Sequence, residues 1–322
     1  MFRLSVPVGR VAGIPIRIHL SWSVVFVLVT ASIGAQAAQA GASILGAMLA
    51  GAVAAFLLLG SVLLHELGHC AFAIRYRIKV RQIQLFIFGG VAEILGEPRR
   101  VREEIIIAAA GPAVSFALAG LAWPLAHGLP EGAWRVLAEF MLLMNLALGT
   151  FNLIPAFPTD GGRIFRAILW GITGDYRRAT RWASGAGLLF AAGLICAGLF
   201  SFFRVHADMS DLIGARVSGT WFVFIGLFLG RSARAANAQG QMSAALREGT
   251  VADVMHRAPP DELSFLPVTL PRMQAEDPLD VLVGTLVHAR ADVALVYEGE
   301  LLVGYVSRAD VGRWLVATDP AG

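Results

Sequence analysis

The stretch SILGAMLAGAVAAFLLLGSVLLHELGHCAFAI, residues 43–74, decides the fold, because His65, Glu66 and His69 interrupt an otherwise apolar run. About 20 mostly apolar residues in a helix span the hydrocarbon core of a bilayer, so this run is long enough to cross and project beyond it. The whole chain is 57% hydrophobic and only 15% charged, whereas soluble domains carry about 25% charged residues. We therefore expect an α-helical integral membrane protein.

Within that run, His65-Glu66-Leu67-Gly68-His69 has the form H-E-x-x-H. Residues i and i+4 share one face of a helix, so the two imidazoles can converge on one metal ion. Glu66 lies close to the same face and can act as a base on water. Polar groups within a membrane cost free energy, about 2.5–3.5 kcal/mol for a charge near a helix centre, and persist mainly where they have a function.

Working outward, hydropathy predicts about six transmembrane helices. By the positive-inside rule, arginines flanking alternate spans predict that both termini are cytoplasmic. Between the second and third spans, Val80–Glu97 alternates and contains Gly89-Gly90, which predicts a membrane-embedded β-hairpin with a glycine turn. The expected spans are Leu20–Gln39, Ser43–Ile74, Ile105–His127, Trp134–Leu153, Ala183–Phe203 and Ile213–Arg231.

A catalytic zinc site needs a third protein ligand and an open position. Asp160 follows two helix-breaking prolines at the end of the fourth span and precedes two glycines, which suits presentation of its carboxylate. An Asp that only caps the next helix is the alternative. Glu93 and Glu139 are weaker ligand candidates, and Cys70 is expected to be a packed membrane residue because it points about 100° away from His69.

The two motifs HELGH, residues 65–69, and NLIPAFPTDGG, residues 152–162, together resemble the site-2 protease family of intramembrane metalloproteases. The resemblance covers roughly residues 10–231, and Gly111-Pro112 also matches it. It implies that zinc is bound by His65, His69 and Asp160, that Glu66 is the general base and acid, and that Asn152 with the glycine pair Gly89 and Gly90 helps to bind substrate. Thr159 and Ser115 depart from the usual pattern, which bears on substrate fit more than on catalysis.

After residue 234 the composition becomes that of a soluble domain, with a connector at 235–249 and a small cytoplasmic α/β unit at 250–318. Its ending, Gly304-Tyr-Val-Ser307-Arg-Ala-Asp310, resembles a CBS motif, in which the Ser and Asp commonly contact an adenine nucleotide. CBS repeats normally pair, so a lone copy suggests a homodimer. A folded stalk without ligand is the alternative.

These features predict a zinc endopeptidase that cuts single-span membrane proteins, such as an anti-sigma factor or a tethered transcription regulator, in a prokaryotic plasma membrane. The resemblance also implies a branch of the family with a CBS region. A catalytically idle adaptor that binds transmembrane helices is the alternative, and a CBS-regulated transporter is disfavoured because the two halves of the chain do not resemble each other. Nucleic acid is not an expected partner, since the arginines flank apolar segments and form no basic patch with aromatic residues.

Overall fold

The computed structural model describes residues 4–96, 98–203, 209–258, 267 and 269–318. The chain divides into two compact units, Met1–Ala233 and Arg234–Gly322. The first unit contains the apolar helices, and the second contains the α/β unit that the composition predicts.

The first unit is built on long helices. Among the described residues, five are long and apolar enough to cross a membrane: Trp22–Gln39 (α1), Ile44–Arg75 (α2), Val101–Gly128 (α3), Ala133–Asn152 (α4) and Tyr176–Phe203 (α6). A shorter helix, Asp160–Thr173 (α5), lies between α4 and α6. The sixth expected span falls within Met209–Glu248 (α7), where the side chains of residues 213–218 lie outside the described part. Residues 235–248, expected as a connector, are helical.

Close packing of α2 is possible because small residues line its contacts. A Cβ added at Gly51 would lie 2.2 Å from the Thr30 carbonyl oxygen on α1, and one at Gly68 would lie 3.0 Å from the Ala110 carbonyl oxygen on α3. His65 and His69 are buried at 3% and 4% exposure on the face of α2 that carries these contacts toward α3. The neighbouring helices therefore enclose the H-E-x-x-H face.

A four-stranded sheet packs against α2, with the order β1-β2-β3-β4. The strands are Ser5–Val11 (β1), Ile14–His19 (β2), Lys79–Phe86 (β3) and Gly89–Leu95 (β4). The β3–β4 hairpin confirms the strands expected within Val80–Glu97, but the expected glycine turn is wrong. The turn is Ile87-Phe88, and Gly89 and Gly90 are the first residues of β4.

Strands β1 and β2, which precede the first apolar helix, were not predicted from the sequence. β2 pairs in parallel with β3, placing Ile16 opposite Ile83. Ile14, Ile16, Ile83 and Leu85 form a buried cluster with Val62 and Cys70 of α2. The hairpin is therefore an integral part of a larger sheet, and of its two strands β4 has one edge that pairs with no other strand among the described residues. At its turn, Phe88 stacks on Phe228 of α7 at 4.3 Å between ring centroids.

The second unit has a sheet of order β5-β8-β7-β6, with β7 and β8 antiparallel and β6 and β7 parallel. Its core includes Leu279, Leu282, Leu286 and Val296, all fully buried. The strands are His256–Arg257 (β5), Arg272–Gln274 (β6), Val293–Glu298 (β7) and Leu301–Ser307 (β8), and the helices are Leu279–Ala289 (α8) and Arg308–Thr318 (α9). The turn between β7 and β8 contains Gly299, whose φ is +63°.

Candidate metal centre

The two histidines of α2 are oriented by groups on α3. His69 Nδ1 donates a hydrogen bond to the Ile107 carbonyl oxygen at 2.7 Å, and His65 Nδ1 lies 2.9 Å from Ser115 Oγ. A carbonyl can only accept, so Nδ1 of His69 carries a proton, and in the neutral imidazole its Nε2 then has a free lone pair. Such outer hydrogen bonds fix the ring orientation and tautomer of metal-binding histidines.

Asp160 comes to the histidines from the first residue of α5. Thr159 is the N-cap: its Oγ1 accepts from the Gly162 amide at 3.3 Å and donates to the Ala156 carbonyl at 2.8 Å. Because Thr159 performs the capping, the alternative in which Asp160 is only a cap does not describe this helix. The Asp160 carboxylate faces His65 and His69 of α2.

The three side chains converge on one point. Asp160 Oδ2 lies 3.2 Å from Nε2 of both His65 and His69, and one potential ligand atom from each residue lies within 4.8 Å of the others. With the proton of His69 on Nδ1, its Nε2 and the carboxylate oxygen are two acceptors facing each other. A cation between them removes that conflict. The donor set of two imidazoles and one carboxylate fits a catalytic zinc ion, which takes three protein ligands and keeps one position open.

Glu66 faces the same space but is held by β4. Its Oε2 accepts a hydrogen bond from the Ala92 amide at 3.2 Å. A Cβ added at Gly90 would lie 2.5 Å from Glu66 Cγ, so only glycine lets the strand come this close. The glycine at position 90 therefore serves close approach to Glu66, a role different from the turn that the sequence predicted.

A cavity of about 200 Å³ opens over this cluster. Asn152 lines it, with its amide nitrogen bonded to the Leu148 carbonyl at 2.9 Å. Gly89 is not among the residues that line it. The full lining is His65, Glu66, His69, Gly90, Val91, Ala92, Ile94, Asn152, Pro158, Asp160 and Arg163. Arg163 was counted in the sequence only as a basic residue flanking a span.

The weaker ligand candidates lie elsewhere. Glu93 bonds to Gln82 at 2.9 Å, and Glu139 bonds to Arg135 at 2.8 Å. Ser115 and Thr159 bear on the cluster more directly than the sequence indicated, since one contacts a histidine ring and the other caps the helix that carries Asp160. A serine after a Gly-Pro pair carries no signal by itself that it will face a histidine 50 positions earlier.

In the second unit, Ser307 and Asp310 bond to each other at the start of α9. Asp310 Oδ2 accepts from the Ser307 amide at 2.8 Å and from its hydroxyl at 2.6 Å, while Oδ1 contacts His256 Nε2 at 2.8 Å. Burial would raise the pKa of Asp310, but the hydrogen bonds from Ser307 and His256 outweigh it and lower this pKa to about 2. The Asp310 amide in turn donates to Ser307 Oγ at 3.3 Å, so Ser307 caps α9.

Comparison with known proteins gives a consistent set of similarities. The model of peptidase family M50 matches residues 53–132 and 127–194. A Mycobacterium tuberculosis protein whose name describes it as a zinc metalloprotease is 36% identical over 80% of this chain. One from Synechocystis, with a similar name, is 34% identical over 77% of it. The chain covers only 65% and 64% of these two relatives.

A solved structure is also similar. The site-2 protease from Methanocaldococcus jannaschii is 32% identical to this chain, with a TM-score of 0.50. The match covers 72% of this chain and 95% of that one. The likeness therefore takes in nearly the whole of the solved protein.

Gly111 of α3 provides a test of the cluster as a metal centre. A Cβ at this position would lie 2.2 Å from His69 Nε2 and 2.7 Å from His65 Nε2. We expect Gly111→Ala to lower zinc affinity at least roughly tenfold, since weaker disturbances around metal ligands already cost that much. Gly120→Ala on the same helix meets nothing within 4 Å and serves as the control. Bound zinc is measured in the purified proteins after dialysis, and equal zinc content in both variants would contradict the assignment.

Proposed function

Because the chain belongs to the M50 family of peptidases, the site-2 protease family, we propose that it is an intramembrane zinc endopeptidase. The observation that carries the proposal is that Asp160 of α5 converges on His65 and His69 of α2. Glu66 lies beside the two histidines on α2, which is apolar and long enough to cross a membrane. Names of the relatives as zinc metalloproteases support the metal and the reaction class.

In this proposal His65, His69 and Asp160 hold the zinc ion. When bound, zinc supplies Lewis acidity, which makes water a nucleophile near neutral pH and polarises a peptide carbonyl. The chain contributes the fixed geometry. Ile107 and Ser115 hold the imidazole rings with Nε2 inward, and Thr159 holds the helix start from which Asp160 projects.

Glu66 is the proton carrier. Its carboxylate takes a proton from the attacking water and returns it to the nitrogen of the leaving peptide. The Ala92 amide bonds only Oε2, which leaves Oε1 for this transfer. Gly90, Val91, Ala92 and Ile94 of β4 form one wall of the cavity, whose volume is about 200 Å³.

The substrate chain adds to the open edge of β4. Ala92 directs its amide away from β3, toward Glu66, so the backbone groups of Gly90 and Ile94, two positions to either side, point the same way. All three residues line the cavity. A transmembrane helix that unwinds locally can pair there as an extra strand, which exposes its carbonyls to attack. The edge of β3 is closed by β2, so addition takes place at β4.

The proposed substrates are single-span membrane proteins, such as an anti-sigma factor or a membrane-tethered transcription regulator. The enzyme is a multi-pass protein of the prokaryotic plasma membrane with both termini in the cytoplasm, as the arginines flanking the spans favour. Regulated intramembrane proteolysis is the process that this arrangement serves.

The second unit is proposed to regulate the enzyme as a CBS-like module that pairs with another copy. Support comes from the sequence resemblance and from a sheet with two helices in the expected order. The contacts of Asp310 with Ser307 and His256 stabilise the start of α9 by themselves, so nucleotide binding there stays a prediction.

Removal of the proposed base gives a prediction for catalysis. Glu66→Gln should bind about as much zinc as the unmodified protein, because Glu66 is not one of the three convergent ligands. Cleavage of single-span peptides should fall by roughly 10²–10⁴-fold, the usual contribution of a general acid–base residue. Glu139→Gln, whose side chain is 52% exposed, should change neither quantity. Zinc binding without cleavage in all three proteins would favour the idle adaptor.

Strand addition is tested by Ile94→Pro. Proline removes an amide that faces the open edge and leaves the β3–β4 ladder intact, which edge strands tolerate. Loss of one main-chain hydrogen bond, worth about 1 kcal/mol, should lower kcat/KM at least roughly fivefold while zinc binding is retained. Ile94→Val keeps the amide and should cleave normally. Equal kcat/KM in the two variants would rule out pairing at this edge.

Nucleotide binding is tested at Asp310. If the CBS-like unit binds an adenine nucleotide through Ser307 and Asp310, calorimetric titration with AMP or ATP should give saturable heat in the unmodified chain and at least roughly tenfold weaker binding in Asp310→Asn, because charge-assisted hydrogen bonds are the stronger ones. Arg178→Gln, in the first unit, is the control. Absence of binding to the unmodified chain would leave the ligand-free stalk as the interpretation.

A further inference from the structure

A buried ion pair joins the helix that orients the histidines to the helix that carries Asp160. Arg166 of α5 donates to Glu104 Oε1 of α3 through Nε at 2.8 Å and also through Nη2. The two side chains are 8% and 0% exposed. Neither residue lines the cavity, and neither was singled out in the sequence as a site residue.

The arginine is also held on both sides by aromatic rings. Its guanidinium carbon lies 5.1 Å from the ring centre of Phe157 and 4.8 Å from that of Tyr176. Phe157 belongs to the loop that leads into Asp160, and Tyr176 begins α6. A planar guanidinium between two rings, with a fork on a carboxylate, has little freedom to rotate. One side chain thereby fixes the position of four segments.

Both ends of the pair lie close in sequence to the metal cluster. Glu104 precedes Ile107 by about one helical turn, and the Ile107 carbonyl bonds His69 Nδ1 at 2.7 Å. Arg166 follows Asp160 on the same short helix by less than two turns. A shift of α5 along α3 would therefore change the distance from Asp160 to both histidines.

Stability alone is a weak reason for such a pair. Replacing a buried ion pair with well-packed apolar side chains is often neutral or stabilising, because desolvation offsets the attraction. Here the offset is larger, since Glu104 Oε2 has no hydrogen-bond partner in the part of the chain that the structure describes. Unlike apolar side chains, the ion pair fixes the direction of the contact and the register of α5 against α3.

We propose that Glu104 and Arg166 are positioning residues for the metal centre: their ion pair sets α5 against α3 so that Asp160 meets His65 and His69. The inference rests on the proposed zinc site. It assigns a role in metal binding to two residues that do not touch the metal, the substrate or Glu66.

The test compares zinc affinity with folding in the full-length protein in detergent. Glu104→Met/Arg166→Met replaces the pair with apolar side chains of similar length. We expect the metal-free thermal midpoint to stay close to that of the unmodified protein, and the zinc dissociation constant, from chelator competition, to rise at least roughly tenfold. Arg178→Met breaks an exposed ion pair with Asp175 and should leave both quantities unchanged.

Two further proteins separate the possible failures. Arg166→Lys keeps the charge beside Glu104 but not the fork or the stacking, so it should bind zinc more weakly even if the double variant does not fold. His69→Ala marks complete loss of the site. Unchanged zinc affinity in a folded double variant, or in Arg166→Lys, would overturn the positioning role alone. Equal failure of the unmodified protein and His69→Ala to bind zinc would overturn the proposed metal site as well.

Discussion

The structure depends on how a few polar side chains are held inside an apolar helix bundle. In the hydrocarbon region there is no water to satisfy them, so the side chains around the metal centre are held by partners within the chain. His69 is bonded to a helix carbonyl, His65 lies against a serine hydroxyl, and Glu66 accepts from a strand amide. These bonds recruit α3 and β4 to the face of α2. The hydrogen bonds of these three side chains thus contribute to the packing of α3 and β4 against α2.

Small residues make those approaches possible. At Gly90 the sheet comes within reach of Glu66, and at Gly111 helix α3 comes within reach of both imidazoles. At Gly68 the backbone of α3 lies close to α2. In each place a methyl group would occupy space that the polar cluster or its neighbours require. Glycine acts here through its lack of volume, and among these three none has a positive φ.

The parts of the site that could be predicted from sequence are those whose residues lie within one short motif. His65 and His69 share a face because they are one turn apart, and the second motif marked Asp160 as their partner. The long apolar helices were predicted for the same reason, since the pattern of each is complete within about 20 residues.

The parts that could not be predicted depend on distant segments. Gly89-Gly90 is a common turn signal, yet the turn lies two residues earlier, and Gly90 lies in β4 against Glu66. Nothing local to Ser115 indicates a histidine 50 positions away, and nothing local to Arg166 indicates Glu104, 62 positions away. Strand β2 was not predicted because one of its two partners, β3, follows two membrane helices.

That last pairing has a consequence for biosynthesis. β2 precedes α1, whereas β3 follows α2, and the two are adjacent parallel strands with Ile16 opposite Ile83. A ribosome must therefore deliver both helices to the membrane before the inner edge of the N-terminal hairpin can be covered. Contacts between residues so far apart in sequence form late, because the intervening chain must first be ordered. The cavity wall formed by β4 is completed only after this step. The cavity is therefore not yet assembled while the first helices of the nascent chain insert into the membrane.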